Sequence, residues 1–325
     1  MLLIAAFVLA PTWAAAETDF PSRTIRLIVL NAAGGGQDVV MRIVTRKLGE
    51  LFGYSFAIIN QPGANGEIGK RECASAEPNG YTFCSIADGT AAIYPAVYAA
   101  AKEPIPGHNL TPVRVVADQY FAFFVREGRP ATFPSFVEAA RKNPDGFVCG
   151  SANPSGKLGM AILNAIPGVK VREAPYRAGE EGKMLRDIRA GELDCFFGSM
   201  TSALSHVRAG AINALGTFGP KKNPFLPNVP TLEELGYPAF GKLPSWYAVW
   251  GPPALPRSVV DRLNRELDTV TGNAEIAERL AKGGVIVRRT SSPEELADEA
   301  KAIFETSLAL ICEQGIVLIG RTCKK

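Results

Sequence analysis

The 325-residue sequence predicts an α/β protein of two lobes, each a mainly parallel β-sheet flanked by helices. Short apolar runs of strand length alternate with segments of helical periodicity, which is the pattern of the βαβ units that build parallel sheets. The pattern begins again after a β-prone run at residues 113–125, which is longer than one buried strand needs and could cross between lobes. A composition of 47% hydrophobic and 21% charged residues supplies enough apolar material for two domains.

The two lobes are predicted to interrupt one another along the chain. Residues 17–122 and 245–325 are expected to form lobe 1, and residues 123–244 are expected to form lobe 2. The strand-like segment Trp246–Gly251 would carry the chain back into lobe 1, whose outer layer would come from the C-terminal helices. The last of these helices should open at Ser292, because Glu295 follows at the spacing of a capping box.

Residues 1–16 are predicted to be a signal peptide. An apolar run from Leu2 to Ala10 is broken by Pro11, and Ala14–Ala16 offer the small residues of a cleavage site. The run is too short to span a bilayer, so a mature protein in the periplasm is expected. The net charge of +3 is too small and too dispersed to indicate nucleic acid or a membrane surface as a partner.

The first βα unit, residues 25–52, is the first candidate for ligand binding. An apolar strand is followed by Gly34, Gly35 and Gly36, and then by a helix that should end before Gly53. Such a turn leaves backbone N–H groups unpaired at the positive end of the helix dipole, which suits a small carboxylate. No Lys-Ser/Thr follows the glycines and the G-x-G-x-x-G spacing is absent, so a nucleotide is not indicated. The alternative is a tight turn that binds nothing.

Four predicted strands end in small or polar residues that lead toward a helix. The carboxyl ends of parallel strands face one crevice, where ligands bind in α/β proteins. Two lobes that both offer such ends could close on a small molecule by a hinge motion. Each loop alone could be an ordinary turn, but together they favour a binding cleft. The four loops are residues 31–38, 87–89, 151–156 and 198–201.

The six cysteines are expected to pair, because an exported protein enters an oxidising compartment. Fifteen connectivities are possible, and pairs close in sequence are preferred. The preferred pairs are Cys73–Cys84, Cys149–Cys195 and Cys312–Cys323. Free buried thiols are the alternative. No C-x-x-C occurs and the histidines are only His108 and His206, so neither a metal site nor a cofactor is expected.

Motifs of catalysis are weak in this sequence. The nucleophile-elbow spacing G-x-S-x-G is absent, and neither histidine has an acidic partner nearby in sequence. The segment 150–157, GSANPSGK, has five residues between its glycines, and Leu158 replaces the Ser/Thr that a phosphate loop needs. A triad assembled by folding stays open, so a secreted hydrolase or transferase that uses the same cleft is the alternative function.

Seven ordered segments resemble those of a known family. They are FPSR through IRLIVLNAAGGGQD at residues 20–38, INQPGANGEIG at 59–69, PNGYTF at 78–83, PYRAG at 175–179, SALSHVRAG at 202–210, LPNVPT at 226–231 and SW at 245–246. In these segments, which span essentially the whole mature chain, the protein resembles the Bug-type extracytoplasmic solute receptors. These receptors are the substrate-binding proteins of tripartite tricarboxylate transporters.

The resemblance implies a two-lobed periplasmic-binding-protein fold of type II-like form, with the ligand cleft between the lobes and no catalysis. It implies delivery of a small organic carboxylate or an amino-acid-like zwitterion to membrane transporter subunits. A sensor kinase is the alternative partner, and a monomer is the expected state. In the family, backbone N–H groups, hydroxyls and ordered waters hold the ligand carboxylate, and water-bridged contacts can be nearly as favourable as direct ones. The ligand-binding residues expected on this chain are Ala33, Gly34, Gly35, Gly36, Gln37, Asp38, Ala87, Asp88, Ser151, Ala152, Asn153, Ser155, Tyr176, Arg177, Gly198 and Ser199.

The sequence also departs from the family pattern near the expected cleft. Ala87-Asp88 replaces a common Thr-Ser, Gln37 replaces a Thr, and Gly198 falls within a segment that usually reads FDN. A carboxylate at Asp88 would repel an anionic ligand in a partly desolvated cleft. Two interpretations of Asp88 compete. Either it meets a ligand ammonium or a protein cation such as Lys157 or Arg177, or it points to solvent, and the solvent orientation is preferred.

Overall fold

The structure is a computed structural model that describes residues 20–105, 109–177, 179–242 and 245–324. The predicted signal peptide, residues 1–16, lies outside the described residues. The described strands form a six-stranded sheet in lobe 1, in the order β11-β4-β10-β3-β1-β2, and a five-stranded sheet in lobe 2, in the order β7-β6-β8-β5-β9. The strands are β1 (Ile25–Val29), β2 (Phe56–Asn60), β3 (Thr82–Ala87), β4 (Thr111–Gln119), β5 (Phe121–Arg126), β6 (Val148–Gly150), β7 (Arg172–Ala174), β8 (Cys195–Ser199), β9 (Ile212–Phe218), β10 (Trp246–Gly251) and β11 (Val285–Val287).

Both sheets are mixed, which corrects the expectation of mainly parallel sheets. Strand β1 pairs in parallel with β2 and β3, and β6 pairs in parallel with β7 and β8, as βαβ units require. Strands β4, β10 and β11 add antiparallel pairs to lobe 1, and β5 adds them to lobe 2. The antiparallel pairs involve the strands by which the chain enters and leaves each lobe. The α/β class and the two-lobed arrangement are as predicted.

The helices cover both sheets. They are α1 (Gly36–Phe52), α2 (Glu67–Ala74), α3 (Tyr94–Ala100), α4 (Phe133–Lys142), α5 (Pro154–Ala165), α6 (Glu181–Ala190), α7 (Met200–Arg208), α8 (Arg257–Gly272), α9 (Ala274–Lys282) and α10 (Pro293–Glu313). Gly53 follows the last residue of helix α1, and its φ of 77° is the left-handed conformation that favours glycine at a helix end. Helix α10 begins with the predicted capping box, in which the Glu295 backbone N–H donates to Ser292 Oγ at 3.0 Å.

The chain passes between the lobes at Tyr120 and again before β10. The β-prone run 113–125 is divided by Tyr120 into β4 of the first sheet and β5 of the second. The sheets therefore change at Tyr120, two residues before residue 122, where the sequence prediction ended the first part of lobe 1. Strand β10 returns between β3 and β4, and the C-terminal helices follow it, with α10 against α3 and α8 against α1.

Aromatic side chains form the centre of the lobe 2 core. The rings of Phe123 and Phe136 have their centroids 4.8 Å apart, and Phe197 lies at the same distance from Phe123. Phe133 and Phe240 join the same cluster, and all five side chains are buried. Fully burying a large apolar side chain stabilises the fold by about 1.5–3 kcal/mol, and edge-on aromatic pairs add to this. This cluster fixes β5 and β8, whose ends reach the space between the lobes.

The three predicted disulfides are confirmed. Cys73 of α2 is bonded to Cys84 of β3, Cys149 of β6 to Cys195 of β8, and Cys312 of α10 to Cys323 of the C-terminal segment. The first bond joins neighbouring elements of lobe 1, and the second joins neighbouring elements of lobe 2. The third bonds the end of the chain to the last helix. Within the described part of the chain, no helix is both long and apolar enough to cross a membrane.

The disulfides should differ in their accessibility to reductant. Cys73, Cys84, Cys149 and Cys195 are each 0% exposed, whereas Cys312 is exposed and Cys323 is partly exposed. Mild reduction of the folded protein followed by alkylation should therefore label Cys312 and Cys323 first. Peptide mass spectrometry would show this. Labelling of a cysteine from a buried pair before these two, without unfolding, would contradict the expected order.

Candidate functional site

The carboxyl ends of β1 and β8 face each other across the space between the lobes, where a cavity of about 400 Å³ lies. Lobe 1 contributes the glycines at the start of α1, and lobe 2 contributes small and polar residues at the starts of α6 and α7. Tyr247 of β10 also lines this cavity, which we call the first cavity. The residues that line it near these helix starts are Ala33, Gly34, Gly35, Gly36, Gly179, Glu181, Gly182, Ser199, Thr201 and Ser202.

A second cavity, of about 520 Å³, also lies between the lobes. Lobe 1 lines it with Ala32 and residues 62–65, and lobe 2 lines it with Lys157, Tyr176 and Arg177. Gly179 lines both cavities, and a Cβ atom at Gly179 would lie 3.3 Å from the Ala32 backbone nitrogen. Ala32 and Gly179 therefore separate the two cavities.

The lobes approach each other closely at two places along the boundary between them, which we call the seam. A Cβ atom at Gly36 would lie 2.6 Å from Thr201 Cγ2 and 3.1 Å from Tyr247 Oη. A Cβ atom at Gly89 would lie 2.5 Å from Pro154 Cβ. Side chains at either position would force the lobes apart. Glycine is thus needed at Gly36 for a tight fit between α1 and α7, which is a reason for the glycine cluster that the tight-turn alternative does not give.

Three helices begin at the first cavity without a side-chain cap. The N-cap residues are Gly35 for α1, Glu180 for α6 and Ser199 for α7, and none of their side chains accepts a hydrogen bond from its helix. By contrast, Asn153 Oδ1 caps α5 by accepting from the Gly156 backbone N–H at 2.8 Å. Uncapped N–H groups at the positive end of a helix bind anions. The first cavity therefore has donors from both lobes for a ligand carboxylate.

Gln37 and Asp38 support the glycine loop and do not line either cavity. Gln37 Nε2 donates to Ser85 Oγ at 2.9 Å, and both side chains are buried. Asp38 Oδ2 accepts from the Gly34 backbone N–H at 2.9 Å and from Arg42 Nε at 2.8 Å. Burial alone would raise the pKa of Asp38, but hydrogen bonds from Arg42, Gly34 and Asn60 lower it overall. An ionised Asp38 therefore holds the loop in shape.

Asp88 is buried and hydrogen-bonded, so the solvent orientation and the pairing with a protein cation are both wrong, whereas contact with a ligand ammonium stays a prediction. Its side chain is 1% exposed, which contradicts the preferred solvent orientation. Among the described residues it forms no ion pair, and Lys157 and Arg177 line the second cavity. Neutral donors surround it instead. Burial raises the pKa of Asp88, and hydrogen bonds from these donors oppose the rise only partly.

The hydrogen bonds of Asp88 join both lobes and both crossing segments. Ser155 Oγ, in the first turn of α5 in lobe 2, donates to Asp88 Oδ2 at 2.7 Å. Ser245 Oγ donates to Oδ1 at 2.6 Å, the Trp246 backbone N–H at 3.3 Å, and Gln119 Nε2 at 3.3 Å. Gln119 ends β4, and Ser245 and Trp246 start the return into β10. One carboxylate thus connects β3, α5 and the two passages between the lobes.

The other predicted site residues divide between the cavities and the interior. Ser199 lines the first cavity, and Tyr176 and Arg177 line the second. Ser151 and Ala152 are buried at the start of α5, and Gly198 lies within β8. Ala87 ends β3 and is partly buried. The structure therefore brings these residues to one seam, and the predicted ligand contacts of individual residues stay predictions.

Several cavity residues were absent from the sequence prediction. Thr201 lies in the loop 198–201, which the sequence analysis predicted for the cleft, and Ser202 follows it directly. The small and polar residues of this segment were therefore a signal for both. Glu181 and Tyr247 belong to no such pattern. They reach the cavity because α6 begins there and because β10 crosses between the lobes.

The described part of the chain places no histidine at either cavity. His206 lies in the last turn of α7 and lines neither cavity, and His108 lies outside the described residues. Among the residues that the structure describes, no three His, Cys, Asp or Glu side chains are grouped so that they could hold a metal ion. The groups that the described residues bring to the first cavity include hydroxyls and the backbone N–H groups of helix starts.

Two mixed sheets, two passages between them and uncapped helix starts at a shared cavity define a two-lobed solute-binding protein. Solved structures support this class. The periplasmic binding protein BugD superposes with a TM-score of 0.81 at 25% sequence identity, covering 91% of this chain and 99% of that one. Rpa4515 of R. palustris, solved with adipate, has a TM-score of 0.81 at 26% identity, covering 92% of this chain and 99% of that one.

The chain belongs to the tripartite tricarboxylate transporter receptor family. The sequence model of the family described as "Tripartite tricarboxylate transporter family receptor" matches residues 40–311. The UPF0065 protein in the tcbD-tcbE intergenic region of Pseudomonas sp. (strain P51) is 33% identical over 305 residues, which cover 90% of this chain and 87% of the relative. The Bug-type resemblance seen in the sequence is thereby confirmed. The family and its structural neighbours are solute-binding receptors rather than enzymes.

Replacing Asp88 with Ala should destabilise the protein. Four donors would lose their acceptor, and each buried polar group left unsatisfied costs about 1–3 kcal/mol, so the free energy of unfolding should fall by at least about 2 kcal/mol. Asp88→Asn should cost less, because the amide keeps an acceptor oxygen and the serine hydroxyls can accept from its NH₂ group. Chemical denaturation would measure both.

The exposed Asp298 of α10 provides the matched control for this series. Asp298→Ala should change the free energy of unfolding by no more than about 0.5 kcal/mol, as exposed substitutions usually do. Equal stability of Asp88→Ala and Asp298→Ala would show that the buried carboxylate does not hold the two lobes together.

Proposed function

We propose that this protein is a periplasmic receptor that captures a small organic carboxylate or zwitterion between its lobes. It delivers this ligand, unchanged, to the membrane subunits of a tripartite tricarboxylate-type transporter. The observation that supports this function best is the meeting of α1 from lobe 1 and α7 from lobe 2 at the first cavity. Both helices present uncapped N–H groups there.

A carboxylate at this position would be held from both sides. The first turns of α1 and α7 supply backbone donors, and Ser199, Thr201 and Ser202 supply hydroxyl groups nearby. A ligand that contacts both lobes binds better when the lobes are together than when they are apart. It therefore shifts the protein toward the form in which the lobes are together, which a membrane partner can distinguish from the empty protein.

Family membership supports both the ligand class and the partner. Rpa4515, a structural neighbour at 26% identity, was solved with adipate, a small dicarboxylate. The family description names the receptors of tripartite tricarboxylate transporters, which supports a membrane transporter as the partner. Genes for a small and a large membrane subunit beside the gene for this protein would favour the transporter over a sensor kinase.

The proposed location in the periplasm and the monomeric state rest on separate features. The predicted signal peptide would export the chain, and three disulfides suit an oxidising compartment. Each chain supplies both lobes of the cleft, so a monomer is sufficient for binding. Nucleic acid has no place in this proposal, because the small net charge gives no basis for it.

A thermal-shift screen of the purified mature protein tests the proposed function. The panel should contain di- and tricarboxylates, adipate, amino acids and aromatic acids. A ligand present at 100 times its Kd stabilises the folded state by about 2.7 kcal/mol, so at least one member should raise the melting temperature clearly. Amines of similar size that lack a carboxylate should give no shift. A panel without any stabilising carboxylate would refute the proposal.

Gly36→Ala should weaken binding of the ligand that the screen finds. The added Cβ would lie 2.6 Å from Thr201 Cγ2, so the lobes could not reach the same distance around the ligand. We expect Kd to rise at least about tenfold, which corresponds to about 1.4 kcal/mol, when measured by calorimetry. Gly272→Ala is the control, since a Cβ there meets nothing within 4 Å. An unchanged Kd for Gly36→Ala would contradict binding between closed lobes.

A further inference from the structure

We propose that Glu181 makes this receptor selective for carboxylates that also carry an ammonium group, such as amino acids, over simple dicarboxylates. The inference rests on the proposed function, because it assigns a ligand class to the same cleft. Glu181 is the first residue of α6 and lines the first cavity together with Gly35, Gly36 and Ser202. A side chain at this place contacts the space that a ligand would fill.

The carboxylate of Glu181 lies among groups that do not neutralise it. Burial raises the pKa of Glu181, and the Asn153 side chain and the backbone N–H of Glu181 oppose the rise only in part. Tyr247 faces it from β10. Burial raises the pKa of Tyr247, and the nearby carboxylates of Glu181 and Asp88 add to this rise.

No protein cation pairs with Glu181 within the described ranges. Every ion pair between described residues involves other acids. Arg279 lines the first cavity from α9, but its side chain is exposed and it forms no ion pair with Glu181. Lys157 and Arg177 line the second cavity. Glu181 is half-buried, and a partly desolvated carboxylate without a cation is unfavourable, so a ligand ammonium at hydrogen-bond distance would offset that cost.

The first cavity therefore has opposite preferences at its two sides. The uncapped starts of α1 and α7 favour a carboxylate, and Glu181 favours a positive group. A zwitterion satisfies both sides at once. A dicarboxylate would place its second negative charge near Glu181, where partial desolvation strengthens the repulsion. Selectivity in this arrangement comes as much from rejecting the wrong ligand as from binding the right one.

Matched pairs of ligands that differ only in an amino group test this inference. Suitable pairs are aspartate and succinate, glutamate and glutarate, and 2-aminoadipate and adipate, with Kd measured by calorimetry on the whole mature protein. In any pair that binds, the amino member should bind at least about tenfold more tightly to the unmodified protein. Glu181→Gln should reduce this ratio to about threefold or less, by weakening the amino member and strengthening the dicarboxylate. Glu192→Gln, which removes an exposed charge just after α6, should leave the ratio unchanged.

The outcomes separate this inference from the proposed function. Equal or tighter binding of the dicarboxylate to the unmodified protein would overturn the selectivity and leave a carboxylate receptor. A Glu181→Gln protein that binds both members of each pair with equally altered Kd would also overturn it, because the residue would then act on the fold rather than on the ammonium. If no carboxylate in the wider panel binds, the proposed function fails and the inference fails with it.

Discussion

The buried carboxylate of Asp88 is the interaction on which the relation between the lobes depends. Its two oxygens accept hydrogen bonds from lobe 2 and from both passages between the lobes, while its backbone follows directly after β3 in lobe 1. A buried charge is tolerated when several donors satisfy it. Neutral donors suit this position better than a cation, because hydroxyl groups on short side chains fix distances that a long, flexible lysine would leave loose.

The close fit between the lobes follows from small residues placed around this joint. Gly36 and Gly89 leave no side chain where the lobes meet, so α1 can approach α7, and the segment after β3 can approach α5. The same approach brings uncapped helix starts from both lobes to one cavity. The features that hold the lobes together and those that would hold a ligand are therefore parts of one surface, and a change in one affects the other.

Local patterns predicted much of the fold but not the partners of Asp88. The run 113–125 is rich in β-branched and aromatic residues, so its strand character was visible, whereas its division at Tyr120 depends on which sheet each half joins. The disulfides were predictable because two of the pairs are close in sequence and exported cysteines pair. The donors to Asp88 lie 31, 67 and 157 residues away, at Gln119, Ser155 and Ser245, and only the folded chain brings them together. Glu181 is one of several acids in its segment, and only the position of α6 distinguishes it.

The discontinuous course of lobe 1 has a consequence for how the protein forms after export. Strand β10 completes the first sheet by pairing with β3, and Cys84 Sγ contacts the Trp250 carbonyl oxygen across 166 residues of sequence. Contacts of such high sequence separation form slowly, because a long loop must close before they contribute. Strands β5 to β9 lie in one uninterrupted stretch of chain, so lobe 2 can fold before β10 and β11 pair with the first sheet. We therefore expect the seam between the lobes to be among the latest parts of the molecule to be assembled.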